Sequence, residues 1–272
     1  MLLYRSKILT LSFLWLSTIF SQSYKDVPYL QDRSIQFVKQ ENDIRLIGVK
    51  TDGNKNINVL SSKGLLSPWD KKLKPNFQYR PIENHNIIAI ESHKNQFYYL
   101  TNKTVLSHSF GGKFYIEHGI ENPILMSMGK NNSFLILNDK NLYFFDKKGL
   151  LRSSHSIGEK ALSVKFYPET GCFLILTLKN LYQFSTEEQL LEKVYSGTEF
   201  SSFEKYKKKI WVGSNSGIHL LSDYNFQFER IIEKLPHDQI TSLKKIGADL
   251  WGGSTRGAFK FKSDGKLNYY AS

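Results

Sequence analysis

Apolar residues along this chain come in short runs of about four to seven, parted by polar turns rich in Lys, Asn, Asp, Ser and Gly, and helical periodicity is lacking. Two units near the C-terminus show the plan most clearly. Residues 240–261 read ITSLKKIGADLWGGSTRGAFKF, and residues 200–220 read FSSFEKYKKKIWVGSNSGIHL. In both, a first strand leads through a polar turn to a second strand bearing Trp251 or Trp211. A Gly-containing turn follows, and Gly257 or Gly217 opens the third strand. Carried back along the chain, the template predicts second strands at residues 173–176, 134–137, 97–100 and 44–47. The tryptophan-equivalent positions are then Leu46, Tyr98, Leu135, Leu174, Trp211 and Trp251, with spacings of 52, 37, 39, 37 and 40. The long first spacing is assigned to an inserted loop over 67–81, which carries Pro and Lys residues.

A repeat of about 40 residues made of short strands predicts an all-β chain, a β-propeller of about six four-stranded blades, with an incomplete seven-bladed ring as the alternative. The blades are expected near 30–66, 82–116, 120–155, 158–194, 196–233 and 237–272, with Leu267–Ala271 as the last strand after the turn Ser263-Asp264-Gly265. A single blade cannot bury both faces, so Trp211 and Trp251 are expected to pack between blades. A pair of β-sandwiches would not keep a forty-residue unit. The helix-like stretch Thr186–Lys193 falls where a turn is expected.

The last two units resemble the two-component regulator propeller repeat. The matching residues are Ile240, Leu243, Leu250, Trp251, Gly252, Gly253, Ser254 and Gly257, and before them Ile210, Trp211, Val212, Gly213, Ser214, Asn215 and Gly217. The resemblance covers roughly residues 198–265; earlier repeats keep the strand pattern and lose the Trp and Gly residues. It implies a bacterial envelope or secreted protein with a recognition role, since such propellers commonly form the periplasmic sensor half of hybrid histidine kinases. The chain departs from those sensors in lacking a second hydrophobic span, a kinase segment and a DNA-binding segment, so a stand-alone propeller and a piece of a larger sensor both remain open.

The N-terminus adds a compartment. Arg5 and Lys7, an apolar run over residues 8–20 and the small residues Ser21 and Ser23 form the pattern of a secretory signal over residues 1–23. The run is shorter than the roughly 20 residues of a membrane-spanning helix, so a secreted or periplasmic protein without a transmembrane segment after cleavage is expected. The single cysteine, Cys172, sits in an apolar run and reads as a buried, inert thiol. A formal charge of +12 favours acidic partners in general terms, yet the lysines are spread out, and the densest cluster, Lys205–Lys209, reads as a solvated turn. No specific nucleic-acid site is expected.

Catalytic patterns are missing from the sequence. The seven histidines show no zinc-ligand spacing, and no nucleophile elbow, P-loop or dinucleotide fingerprint occurs. Glu83, Glu91, Glu159 and Asp238 lie near strand starts without forming a recurrent motif. The sequence thus points to a non-enzymatic binding or sensing module without a cofactor or metal, recognising a glycan or an envelope or signalling protein. A carbohydrate-active enzyme and an envelope assembly component are the alternatives. The loops joining strands two and three, and successive blades, share one face of a propeller. The candidate binding residues on that face are Lys103, Asn141, Asn180, Asn215, His237, Asp238 and Arg256.

Overall fold

A computed structural model of the chain describes residues 46–51, 57–61, 64–69, 80–81, 87–93, 96–109, 112–232, 235 and 239–271. The expected signal segment, Glu83, His237 and Asp238 lie outside the described residues. Among the described residues the structure is all-β, with one short 3-10 turn at Lys130–Asn132.

Five regular four-stranded antiparallel sheets follow one another from residue 87 to 271. They comprise β5 (Ile87–His93), β6 (Gln96–Thr101), β7 (Thr104–Ser109) and β8 (Gly112–Glu117); β9 (Leu125–Met128), β10 (Phe134–Leu137), β11 (Asn141–Phe145) and β12 (Leu151–Ser156); and β13 (Ala161–Tyr167), β14 (Cys172–Thr177), β15 (Asn180–Ser185) and β16 (Leu191–Ser196). Then come β17 (Phe200–Tyr206), β18 (Lys209–Ser214), β19 (Gly217–Ser222) and β20 (Phe228–Ile232), and finally β21 (Ile240–Ile246), β22 (Asp249–Ser254), β23 (Gly257–Phe261) and β24 (Leu267–Ala271). A further sheet precedes them, of β1 (Leu46–Thr51), β2 (Ile57–Ser61), β3 (Gly64–Trp69) and the two-residue β4 (Arg80–Pro81).

That first sheet corrects the register expected for it. The second strand is Ile57–Ser61, and Leu46 starts the first strand instead. Asn58 pairs with Lys50 as Trp251 pairs with Lys244, so Asn58 is the tryptophan-equivalent position and its spacing to Tyr98 is 40. Within the stretch 67–81, residues 67–69 end β3 and residues 80–81 form β4, so both ends of it belong to the sheet. The template slipped by one strand because Ile44–Ile47 and Ile57–Ser61 are both short apolar runs, and only pairing tells them apart. Of the stretch 186–193, the first part is a turn and the rest enters β16.

Side chains explain why the sheets stack. In β10 and β14 every residue is buried, because alternate residues serve the sheets on either side. Phe134 and Ile136 pack backwards on Tyr98, Leu100 and Val105, whereas Leu135 and Leu137 pack forwards on Phe173 and Ile175. Leu174 and Leu176 then meet Phe200, Phe203, Ile210 and Val212, and Trp211, Ile218 and Leu220 meet Ile240, Leu243, Leu250 and Phe259. The core is therefore a series of inter-sheet layers. Cys172 is buried as expected, its thiol donating to the Thr170 carbonyl at 3.2 Å.

Candidate binding site

The first strands of the sheets share a local plan. In β5, β13, β17 and β21 the pairing slips once after the first residue, between Ile87 and Ala89, Ala161 and Ser163, Phe200 and Ser202, and Ile240 and Ser242. A small residue follows the slip, Ala89, Ser163, Ser202 or Ser242, then an apolar one, Ile90, Val164, Phe203 or Leu243. The next position is charged: Glu91, Lys165, Glu204 and Lys244. Register with the second strand puts Ser127 of β9 at the same level, opposite Leu135. Pairing alone also gives Lys50 of β1 that position.

These first strands neighbour one another in chain order, and a cavity of about 440 Å³ lies among them. Its wall is formed by β5, β9 and β13, with Lys244 of β21. Its wall mixes apolar residues such as Leu162, Val164 and Phe166 with the polar Ser92, His93 and Ser163, and Glu91, Ser127, Lys165 and Lys244 stand at one level. A concavity with convergent polar groups is a usual place for a ligand.

The charges at that level are not equivalent. Lys165 Nζ donates to the Phe203 carbonyl at 2.6 Å and to Glu204 Oε2 at 3.1 Å, and lies 5.0 Å from the Phe203 ring centre. Glu204 also accepts from the backbone amides of Lys245 at 3.2 Å and Lys205 at 3.2 Å. One carboxylate thus ties together β13, β17 and β21. Its side chain is only 12% exposed, so the pair is shielded from water and holds better than a surface ion pair. Lys244 lines the cavity, is exposed, and has no ion pair among the described residues.

The face selected from the sequence is built differently. Where strand two turns into strand three, a hydroxyl closes the turn: Thr101, Thr177, Ser214 and Ser254 each donate to the carbonyl three residues on. In the β10–β11 turn Asn138 substitutes, its Oδ1 accepting from the amides of Lys140 and Asn141. The candidate residues sit in these turns. The backbone of Lys103 accepts from the His118 amide at 3.0 Å, and Asn141 Nδ2 donates to the Tyr143 hydroxyl at 3.4 Å. Asn180 Nδ2 donates to Glu159 while its Oδ1 accepts from Ser196 Oγ at 2.8 Å. Asn215 Nδ2 donates to Glu199 Oε2 at 2.7 Å, and the Arg256 carbonyl accepts from the Tyr269 hydroxyl at 2.9 Å.

Glu159 and Glu199 lie in the loops that lead into the sheets carrying Asn180 and Asn215, so each Asn ties its own sheet to the incoming loop. None of the five described candidates lines the cavity. The cavity residues carried a sequence signal of their own, a charge in the middle of each apolar first strand, of which only Glu91 was singled out beforehand. Among the described residues no cluster of three or more His, Cys, Asp or Glu side chains is arranged to hold a metal.

Comparison with solved structures fits this architecture. The extracellular domain of the hybrid two-component system BT4673 from B. thetaiotaomicron superposes with a TM-score of 0.63 at 16% identity, over 84% of this chain and 33% of that one. A second structure of the BT4673 extracellular domain, described as a one-component system, gives 0.60 at 16% identity over the same shares. The WD40 domain of Neurospora crassa Pan2 gives 0.65 at 10% identity, over 85% of this chain and 80% of that one. The fold is that of a β-propeller. The propeller described here spans about a third of the BT4673 domains it matches. No family model matches the chain. No curated protein sequence matches it either. Among the described residues, no helix is long and apolar enough to cross a membrane.

Proposed function

We propose that this chain is an exported, non-enzymatic sensing propeller that takes a small ligand into the cavity among its first strands, and that its latched turn face receives a protein partner. The carrying observation is the cavity itself, a concavity of mixed polar and apolar lining with charged groups from different sheets at one level. Occupying it changes how neighbouring sheets meet, because Lys165 and Glu204 join three of them beside it. The likeness to extracellular domains of two-component systems and the signal-like residues 1–23 support the compartment and the sensing role. The test is a thermal-shift screen of sugars, sugar acids and small metabolites on the purified chain and on Ser163→Phe, which narrows the cavity. A ligand that raises Tm in the parent and not in the folded variant supports the reading; equal stabilisation of both moves the site elsewhere.

We further infer that six sheets close the ring. Each sheet covers the forward face of the one before it, as β21–β24 cover Trp211. Among the described residues the forward face of β21–β24 has no such cover: Ile246 is 58% exposed, Tyr270 is 46% exposed, and Trp251 is only half-buried, stacked on Tyr270 at 5.7 Å. At the other end, Leu46 and Val49 stand by register at the positions of Ile240 and Leu243, which cover the preceding sheet. By register β1–β4 therefore has the residues in place to cover the forward face of β21–β24 as each later sheet covers its predecessor.

A further inference from the structure

We propose that the face opposite the turns between strands two and three docks on an anionic lipid bilayer, with Lys207, Lys208 and Lys262 meeting headgroup phosphates and Tyr224 dipping between them. The inference uses no part of the cavity. It starts from backbone strain. Lys207 and Lys208 form the turn between β17 and β18, and both stand in the left-handed region, at φ +50° and +56°. Two consecutive residues at positive φ are what a type I′ hairpin demands, which Asn-Gly meets at little cost and lysine meets poorly. Folding alone gives no reason for two lysines at this tip, and an unfavourable backbone held in place points to a use for the side chains.

The surroundings supply two more observations. Lys207 Nζ donates to the Ser263 carbonyl at 2.7 Å, which brings the β17–β18 turn against the β23–β24 turn, and Lys205 reaches Asp223 of the β19–β20 turn at 3.2 Å. The acids here have lysines of their own. Asp223 and, at 3.9 Å, Glu169 share Lys205; Glu229 has Lys209, Asp249 has Lys260 at 2.8 Å, and Asp264 has Lys266 at 3.8 Å. Lys262 pulls on Asp249 only from a longer range, and Lys207 and Lys208 have no ion pair among the described residues, so the three adjoining turns are left positive. Beside these cations Tyr224, at the tip of the β19–β20 turn, is 90% exposed, more than any other large apolar side chain described, and Leu190 and Leu267 are exposed at the β15–β16 turn and the start of β24. Lysines interleaved with exposed apolar side chains are the make-up of a surface that lies on a bilayer, where an aromatic ring settles at headgroup level. A soluble polyanion engages the lysines and leaves Tyr224 in water, so the lipid surface is the better fit. Docked this way, the propeller keeps its opposite turn face free for a protein partner.

Cys172 is buried, so an environment-sensitive dye goes to an introduced thiol. The experiment labels Ser263→Cys, beside the lysines, and separately Asn102→Cys, on the turn face. Each full-length protein is titrated with vesicles of phosphatidylglycerol and phosphatidylcholine in equal parts, with pure phosphatidylcholine vesicles, and with dextran sulfate. The expected result is a blue shift of the Ser263 label on the anionic vesicles alone, weakened by salt, and none at Asn102. Giving the turn the residues it prefers, Lys207→Asn with Lys208→Gly, is expected to raise Tm and yet weaken that response about thirtyfold, as losing two lysines from an anionic surface does. Tyr224→Ser weakens it with Tm unchanged. Should the double variant gain no stability, Lys208→Gln, which keeps the Lys207 link to Ser263, carries the test with a loss of about fivefold. Equal responses of the two labels, or of the Ser263 label to neutral vesicles, place the attachment elsewhere in the chain and overturn the proposal, as does an undiminished response in the lysine variants. A response at Ser263 to dextran sulfate with none to vesicles assigns the lysines to a soluble polyanion and overturns it too.

Discussion

His219 shows how one side chain links the turns to stability. It is buried on the third strand of its sheet, with Nδ1 2.8 Å from the Tyr195 hydroxyl and Nε2 3.0 Å from Ser214 Oγ. Tyr195 belongs to the preceding sheet, so the imidazole joins two sheets while also contacting the hydroxyl that closes the β18–β19 turn. Burial holds its pKa below the usual histidine value of 6.5, and burial does the same to His118, partly opposed by the Thr101 carbonyl. The sign follows directly. The unfolded chain takes up a proton near pH 6.5 that the folded chain refuses, so this stability is complete above 6.5 and is lost as pH falls through the lowered folded values. Denaturant unfolding at pH 7.5 and pH 5 is expected to show the loss, with a slope of up to about 1.4 kcal/mol per pH unit per histidine, reduced by about one proton in His219→Gln. A slope unchanged in that variant would rule the assignment out. Asp146 and Asp249 are also held low, by the Leu150 amide and by Lys260 respectively, but they act only below the ordinary carboxylate range, so the two windows separate. None of this was legible from the sequence, where His219 is one of seven scattered histidines and its partner lies 24 residues away.

At the scale of the strand, the glycines of the last repeats turn out to be packing residues. Gly252 lies within β22 opposite Phe259, and a Cβ built there would stand 2.0 Å from the Phe259 ring. Gly213 occupies the next position along its own second strand, and a Cβ there would meet Ile240 of the following sheet at 2.6 Å. Gly247, in contrast, sits in the β21–β22 turn at φ +62° with nothing within 4 Å of its Cβ position, so its requirement is purely one of backbone. Gly252→Ala is accordingly expected to cost about 2 kcal/mol by overpacking, and Gly247→Ala about 1 kcal/mol by left-handed strain, both read from urea midpoints at constant m. The reverse order would show that Phe259 has room to yield. Strand existence, the forty-residue unit and the last strand Leu267–Ala271 were legible because alternating burial leaves its mark on sequence. The first repeat was misregistered because its tryptophan position holds Asn58 and the apolar run Ile44–Ile47 competes with Ile57–Ser61 for the second strand. The turn candidates could not be told from ligand contacts because polar turn residues look alike whether they face a ligand or, as with Asn180 and Asn215, tie a turn to the loop entering their own sheet.

For the molecule as a whole, the question is what lies on Trp251. In the open arrangement its ring is half-buried, stacked on Tyr270, with Lys260 Nζ 5.0 Å from its centre and Lys260 paired to Asp249 at 2.8 Å. Trp211, the same position one repeat earlier, is 7% exposed under Leu243 and Phe261 of the next sheet, with its Nε1 donating to the Tyr206 carbonyl at 3.0 Å. If β1–β4 closes the ring, the two tryptophans become equivalent. Trp211→Ala and Trp251→Ala should then each cost about 3–5 kcal/mol, as truncation of a core aromatic does. An uncovered Trp251 is held by its own sheet only, and its truncation should cost about 1 kcal/mol or less. Fluorescence gives an independent reading of the same state: with Trp15, Trp69 and Trp211 all replaced by Phe, the emission from Trp251 should be blue-shifted and poorly quenched by iodide in a closed ring, and red-shifted and readily quenched in an open one. Equivalent costs with shielded emission make the molecule a six-sheet ring whose first strands enclose the cavity on every side. Unequal costs with accessible emission leave the Trp251 face as an edge, and the cavity then opens towards it past Lys244.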